Sequence, residues 1–129
     1  MRERFCLNTA TIKTAPLDLQ IKLAQESGFG QIGLWLKDVE AAMAKGKSLV
    51  DSSGLRVVEF CFLGGWQDAD VAQFGEVLTQ TRHICEVARR LGCEIVVTVP
   101  PLKARGLAGA PERFRQVCRV AAEHGVVAV

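Results

Sequence analysis

Polar and aromatic side chains that could contact a bound molecule stand at the ends of short apolar runs. Asn8 and Thr9 follow the first run, Trp35 lies near the end of the second, and Trp66 follows the third. Where strands and helices alternate, ligand-binding groups gather at the carboxyl ends of parallel strands. An amide or hydroxyl can hydrogen-bond a ligand, and an indole can stack on a flat apolar face. These four residues are therefore candidate ligand contacts, with packing beneath a loop as the alternative for each tryptophan.

Glu59 is a carboxylate enclosed by apolar sequence, Val-Val-Glu-Phe-Cys-Phe at residues 57–62. An unpaired charge at such a position would be costly to bury. One interpretation is a structural ion pair with Arg56, Lys37 or an arginine of the following helix, and it is favoured because buried carboxylates are usually paired. The other is a carboxylate that faces a ligand pocket.

The cysteines indicate neither a disulfide framework nor a zinc site, because none of them forms a Cys-x-x-Cys pair. Most have apolar neighbours and are expected to be reduced core residues; they are Cys6, Cys61, Cys85, Cys93 and Cys118. A catalytic thiol would need an activating base, whereas both histidines, His83 and His124, are expected to be solvated or structural. We predict no catalytic residue and no metal site within this sequence.

Composition and charge describe a soluble globular chain. Sixteen Lys and Arg against fourteen Asp and Glu give a formal charge of +2, with 49% hydrophobic residues. A charge so near balance argues against nucleic-acid and membrane-surface partners. No run approaches the roughly 18 apolar residues of a membrane span. The charged start lacks the apolar stretch of a signal peptide, so we expect a cytoplasmic protein.

Four glycines mark the joints between helices and strands: Gly28, Gly54, Gly92 and Gly125. Each ends a helical pattern and is followed by an apolar residue and a β-rich run, as expected for a left-handed helix cap. With the first run they predict five strands at residues 4–8, 31–36, 55–63, 95–99 and 126–129. The runs are almost continuously apolar, which is typical of a parallel sheet buried on both faces.

The segments between the strands predict four helices, so that strands and helices alternate along one domain, residues 1–129. The longest helix carries an apolar stripe, which consists of Val71, Phe74, Leu78, Thr81, Cys85 and Ala88. Two architectures accept this alternation: an open flavodoxin-like sheet and the first half of a (β/α)₈ barrel. The length favours the first. The absence of a glycine-rich phosphate-binding motif after any strand favours the second.

Three phrases carry a resemblance to a known family. They are Leu-Asn-Thr-Ala-Thr-Ile at 7–12, Gly-Phe-Gly-Gln-Ile-Gly-Leu-Trp at 28–35 and Phe-Leu-Gly-Gly-Trp at 62–66. In their order and spacing the chain resembles the sugar phosphate isomerase/epimerase family, whose fold is the xylose isomerase-like TIM barrel. The resemblance covers the whole chain and implies a partial (β/α)₈ barrel, its N-terminal half, truncated in the fifth strand.

The resemblance implies metal-dependent proton transfer on a sugar or sugar phosphate, with Mn, Mg, Co or Zn as the cofactor in the full-length family. It implies that Asn8, Thr9, Trp35, Glu59 and Trp66 contact the substrate. Lys103 and Arg105, in the loop before the last helix, could meet a phosphate, although a loop charge is usually just solvated. The family's first metal-binding glutamate would fall just after Val129, so the chain alone is expected to be an inactive fragment that binds no metal.

Gly33 departs from the family, which often has a glutamate there pointing into the barrel. Glu59 on the next strand could replace that carboxylate. Half a barrel would also leave two open sheet edges, through which we expect self-association. The alternative function is a noncatalytic α/β module, either flavodoxin-like or a half-barrel, that binds a partner.

Overall fold

The computed structural model describes residues 4–35, 37, 50–99 and 107–129. Its strands are β1 (Cys6–Asn8), β2 (Gln31–Trp35), β3 (Arg56–Leu63), β4 (Ile95–Thr98) and β5 (Val127–Ala128). Its helices are a 3-10 helix (Thr9–Ile12), α1 (Leu17–Glu26), α2 (Val71–Arg90) and α3 (Ala110–Glu123). The helix predicted between β2 and β3 lies mainly outside the described residues. Its described part includes the helical residues 50–53. Across the described ranges, no helix is long and apolar enough to cross a membrane.

The strands form one parallel sheet in the order β1-β2-β3-β4-β5, so each strand pairs with its neighbours along the chain. A flavodoxin-like sheet would place the second strand outside the first. The flavodoxin-like alternative is therefore wrong, and the predicted partial (β/α)₈ barrel is confirmed. Because crossovers between parallel strands share one hand, this order puts all the helices on the same face of the sheet.

The core lies on the face that the helices cover, which we call the outer face. The buried core residues that the sheet contributes on this face include Ile32, Leu34, Phe60 and Val96. The helices contribute buried apolar residues to the same core, among them Ile21 and Ala24 of α1, Ile84 and Ala88 of α2, and Val117 of α3. Side chains along a strand alternate between the two faces of the sheet. The strand residues next to these core residues therefore point to the opposite side, which would be the barrel interior. We call that side the inner face.

Both ends of α2 follow from local sequence. Asp70 accepts a hydrogen bond from the backbone N–H of Gln73 at 2.8 Å, and the Gln73 side chain accepts one from the Asp70 N–H at 3.0 Å. This reciprocal cap satisfies two donors of the first turn. At the other end Gly92 adopts a φ of +70°, which closes the helix and turns the chain into β4.

The predicted apolar stripe of α2 is wrong at its first member. Val71 is 94% exposed, whereas Thr81, Cys85 and Ala88 are buried. Val71 lies in the first turn, next to the capping residue, before the helix reaches the core. The three-to-four-residue period gives the direction of a side chain but not where along the helix the sheet begins to cover it.

The inner face is uneven. Near β4 and β5 it exposes large apolar side chains: Ile95 is 39% exposed, Val127 58% and Val129 55%. The register pairs Ile95 with Val127, so these two residues are neighbours on the same side of the sheet. Near β1 to β3 the same face carries polar groups, described below.

Candidate functional site

Three neighbouring strands bring polar residues together on the inner face. Asn8 pairs with Gly33, Gly33 with Glu59, and Trp35 with Cys61. Partners in register on parallel strands point to the same side of the sheet. A register shift between Ile32 and Gly33 sets this alignment. Asn8 and Trp35 end their strands, where barrels of this type carry their sites, whereas Gly33 and Glu59 lie near the middle of theirs.

Asn8 is the centre of a hydrogen-bond network. Its Nδ2 donates to Glu59 Oε1 at 2.8 Å and to Cys61 Sγ at 3.2 Å. Its Oδ1 accepts from the backbone N–H of Ala10 at 2.9 Å and from Trp35 Nε1 at 3.0 Å. A primary amide has two donor hydrogens and two acceptor lone pairs, so these four bonds use its full capacity.

The orientation of the Asn8 amide follows from chemistry. The Ala10 N–H and the Trp35 indole N–H can only donate, so the atom that both approach must be the oxygen. The NH₂ group therefore faces Glu59 and Cys61. Since its bonds are already made within the protein, Asn8 has none left for a ligand hydroxyl in this arrangement.

The Glu59 carboxylate lies directly over Gly33. A Cβ added to Gly33 would be 2.5 Å from Glu59 Oε1 and 2.8 Å from Glu59 Cγ, far inside van der Waals contact. Glu59 thus fills the space that a side chain at position 33 would need. Glycine within a strand often marks such a close approach.

An ion pair does not hold Glu59 among the residues that the structure describes. The ion pairs there join Lys22 to Glu26 and Glu112 to Arg115. Lys37, one of the predicted partners, donates to the backbone carbonyl of Lys13. The polar partner of Glu59 is Asn8, so among the described residues the predicted ion pair is replaced by a hydrogen bond from an amide. That the carboxylate faces a ligand pocket stays a prediction.

The two tryptophans have different surroundings. Trp35 is half-buried and meets the edge of Phe62, with ring centroids 5.3 Å apart and an interplanar angle of 86°. Trp66 packs on Phe114 of α3, with centroids 5.0 Å apart and an angle of 33°. Trp35 therefore belongs to the Asn8 network, and Trp66 joins the β3–α2 connection to α3.

The remaining predicted contacts fall outside this network. The Thr9 side chain is fully buried at the start of the 3-10 helix. Lys103 and Arg105, the predicted phosphate contacts, lie outside the described residues. The network itself thus consists of Asn8, Trp35, Glu59 and Cys61, with Gly33 beneath them.

Burial raises the pKa of four thiols, of which Cys6 and Cys61 lie on the inner face and Cys85 and Cys93 in the core of the outer face. Burial raises the pKa of Cys6 to about 11, and the Glu59 charge adds to the effect. Burial also raises the pKa of Cys61, partly offset by the hydrogen bond from Asn8. For Cys85 and Cys93 burial again raises the pKa to about 11. Since the thiolate is the reactive form, a raised pKa lowers the reactive fraction of these cysteines at neutral pH.

The described residues do not fit the divalent metal that the family resemblance implies. Mn²⁺ and Mg²⁺ prefer several carboxylate and carbonyl oxygens, and zinc is held by deprotonated thiols, imidazoles or carboxylates. Within the described ranges, no three His, Cys, Asp or Glu side chains are placed to hold an ion. Beside Glu59 stand an amide NH₂, which is a donor, and a thiol whose pKa is raised.

Sequence reasoning found the residues of the network but not the bonds between them. Asn8 and Trp35 were candidates because they stand at strand ends, and Glu59 because it is a carboxylate within an apolar run. Cys61 was expected only as a core residue. Gly33 gave the usable signal: a glycine inside an otherwise bulky strand, beside a carboxylate on the next strand.

No protein-family model and no curated protein matches the chain. Solved structures do match. Protein SMc04130 from Sinorhizobium meliloti 1021 shares 22% identity and a TM-score of 0.83, over 100% of this chain and 50% of that one. The IolI protein with a bound zinc atom shares 18% identity and a TM-score of 0.83, over 96% and 49% of the two chains.

A sugar phosphate isomerase/epimerase from Parabacteroides distasonis ATCC 8503 matches at 12% identity and a TM-score of 0.73, over 99% of this chain and 50% of that one. The matched chains also include xylose isomerase domain proteins. The fold is therefore half of a xylose isomerase-like TIM barrel, as the sequence resemblance implies. The chain spans about half the length of the solved structures it matches.

Proposed function

We propose that this chain holds a sugar or sugar phosphate on the inner face of an isomerase/epimerase-type barrel. The observation that carries the proposal is the Glu59 carboxylate on the inner face, which Asn8 binds together with the Trp35 indole. A carboxylate accepts hydrogen bonds from sugar hydroxyls, and an indole offers an apolar face to a sugar ring. The likeness to a sugar phosphate isomerase/epimerase supports the substrate class.

The direct contacts in this proposal are Glu59 and Trp35. Asn8 acts through them, because its hydrogen bonds are already made. The contacts predicted from the sequence for Thr9 and Trp66 are not part of this proposal, since Thr9 is buried and Trp66 packs on Phe114. Glu59 is also the carboxylate that could accept a proton from a carbon next to a carbonyl.

We further propose that this chain forms part of a larger barrel and that, on its own, it binds its ligand without converting it to a product. Proton transfer between neighbouring carbons of a sugar calls for a group that polarises the carbonyl, a role that metals fill in many enzymes. The described residues do not supply such a metal site. The ligands for one would have to come from outside them.

A second candidate function is a noncatalytic half-barrel that binds a protein partner. The exposed apolar side chains of Ile95, Val127 and Val129 favour it, because contiguous apolar surface marks interaction sites. The two candidates differ in where the contact lies. Sugar binding uses the β1–β3 end of the inner face, whereas partner binding uses the β4–β5 end.

Titration calorimetry with D-xylose, D-fructose and D-fructose 6-phosphate tests the proposal. We expect at least one of these sugars to bind, and binding to be lost in Glu59→Gln. Glu76→Gln is the matched control, since Glu76 is an exposed carboxylate on α2. Equal binding by Glu59→Gln and Glu76→Gln, or binding by none of the sugars, would contradict the proposal.

A further inference from the structure

A side chain at position 33 would clash with the Glu59 side chain in its present place. A side chain at Gly33 would need the space that Glu59 Oε1 and Cγ occupy, at 2.5 and 2.8 Å from the added Cβ. Gly33 is not among the glycines with positive φ, so its backbone is not what requires glycine. The requirement comes from the carboxylate on the next strand.

The carboxylate is also oriented from the other side. Turning the Asn8 amide over would set its NH₂ against the N–H groups of Ala10 and Trp35, leaving donors facing donors. The amide therefore has one favourable orientation, in which its NH₂ holds Glu59 Oε1.

We propose that Asn8 is a positioning residue for Glu59, held in place by Trp35 and Ala10, and that glycine at position 33 leaves room for the Glu59 carboxylate of β3 on the inner face. The positioning stands on steric contact and hydrogen bonding alone. Its consequence for sugar recognition rests on the proposed function: a side chain at position 33 would move Glu59 away from Asn8 and change which ligand hydroxyls the carboxylate accepts.

Reversal of donor and acceptor tests the role of Asn8. Asn8→Asp is isosteric and keeps an acceptor for Ala10 and Trp35, but it sets a second carboxylate against Glu59. Glu59→Gln alone removes the charge and keeps the shape. We expect Asn8→Asp to lower the urea midpoint at pH 7. The double variant Asn8→Asp/Glu59→Gln should recover most of that loss, because the amide introduced at position 59 can donate a hydrogen bond to the carboxylate introduced at position 8.

The indole N–H resonances give a readout beyond stability. The chain has two tryptophans. Asn8→Asp should leave the Trp35 indole hydrogen-bonded, whereas Asn8→Leu should shift its resonance and leave that of Trp66 in place. A double variant no more stable than Asn8→Asp would overturn the positioning role.

A second cycle tests the steric part. Gly33→Ala should lower the urea midpoint when Glu59 is present and should not lower it in a Glu59→Ala background, where the space is free. Equal destabilisation in both backgrounds would show that glycine is required for another reason. Neither cycle uses a sugar, so failure of sugar binding and failure of the positioning are separate results. If the positioning holds and a sugar binds, Gly33→Ala should weaken that sugar's affinity.

Discussion

The two ends of the inner face differ in how completely their side chains are satisfied. Around β1 to β3, Asn8 makes four hydrogen bonds that join Trp35, Glu59 and Cys61 into one network. Around β4 and β5, Ile95 and Val127 lie exposed with no opposing layer among the described residues. The polar end is complete within the chain, and the apolar end is suited to contact with another surface.

The largest effect should come from the polar end. We expect Asn8→Ala to lower the free energy of unfolding by about 2 to 4 kcal/mol, because it leaves several partly buried groups without partners. Val127→Ala, at the apolar end, should cost less than about 0.5 kcal/mol since the side chain is exposed. Urea denaturation compares them directly. A larger loss for Val127→Ala would reverse the contrast between the two ends.

The apolar end should govern association of the chain with itself. A buried apolar side chain contributes about 1.5 kcal/mol or more, so Val127→Asp should weaken self-association at least about tenfold. The matched control is Val71→Asp, because Val71 is the same residue type and is also exposed but lies on α2. Sedimentation velocity over a range of concentrations measures the effect. Equal weakening by both variants would show that association does not use the inner face.

Much of the contrast between the two ends of the inner face could be predicted from the sequence, but its structural cause could not. The glycine joints predicted the five strands and their order along the chain. The strand-end rule selected Asn8 and Trp35, and the apolar run around Glu59 together with Gly33 drew attention to that carboxylate. The bonds among them cross three strands and depend on the register shift beside Gly33, which no local pattern encodes. For the same reason the sequence favoured an ion pair for Glu59, since its amide partner lies 51 residues away.

Alkaline pH should weaken the covered face of the sheet. Burial raises the pKa of Cys85 and Cys93 from 9.0 to about 11. Between these values the unfolded chain releases protons that the native state retains, so stability falls as pH rises from about 9 to 11. We expect the urea midpoint to decline over this window, and to decline less in Cys85→Ala. A midpoint that rises with pH would contradict the sign.

The smallest expected effect is a difference between Cys6 and Cys85 in how their alkylation responds to the loss of the Glu59 charge. Burial raises the pKa of both thiols, but Glu59 adds to the shift only at Cys6. Glu59→Gln should therefore lower the pKa of Cys6 and speed its alkylation at pH 9, while Cys85 reacts as before. Mass spectrometry of partly alkylated protein follows both residues in one sample. A change at Cys85 as large as that at Cys6 would indicate general loosening of the fold instead.

The most direct measurement is an indole N–H spectrum of the ¹⁵N-labelled chain during addition of D-xylose, D-fructose or D-fructose 6-phosphate. Its two tryptophans report on separate places, Trp35 on the Asn8 network and Trp66 on the contact with Phe114. If the network holds the sugar, the Trp35 resonance shifts with saturation in the wild-type chain, stays still in Glu59→Gln, and that of Trp66 is unchanged throughout. A shift at Trp66 alone, or none at Trp35 with any of these sugars, would contradict a sugar site at this end of the inner face.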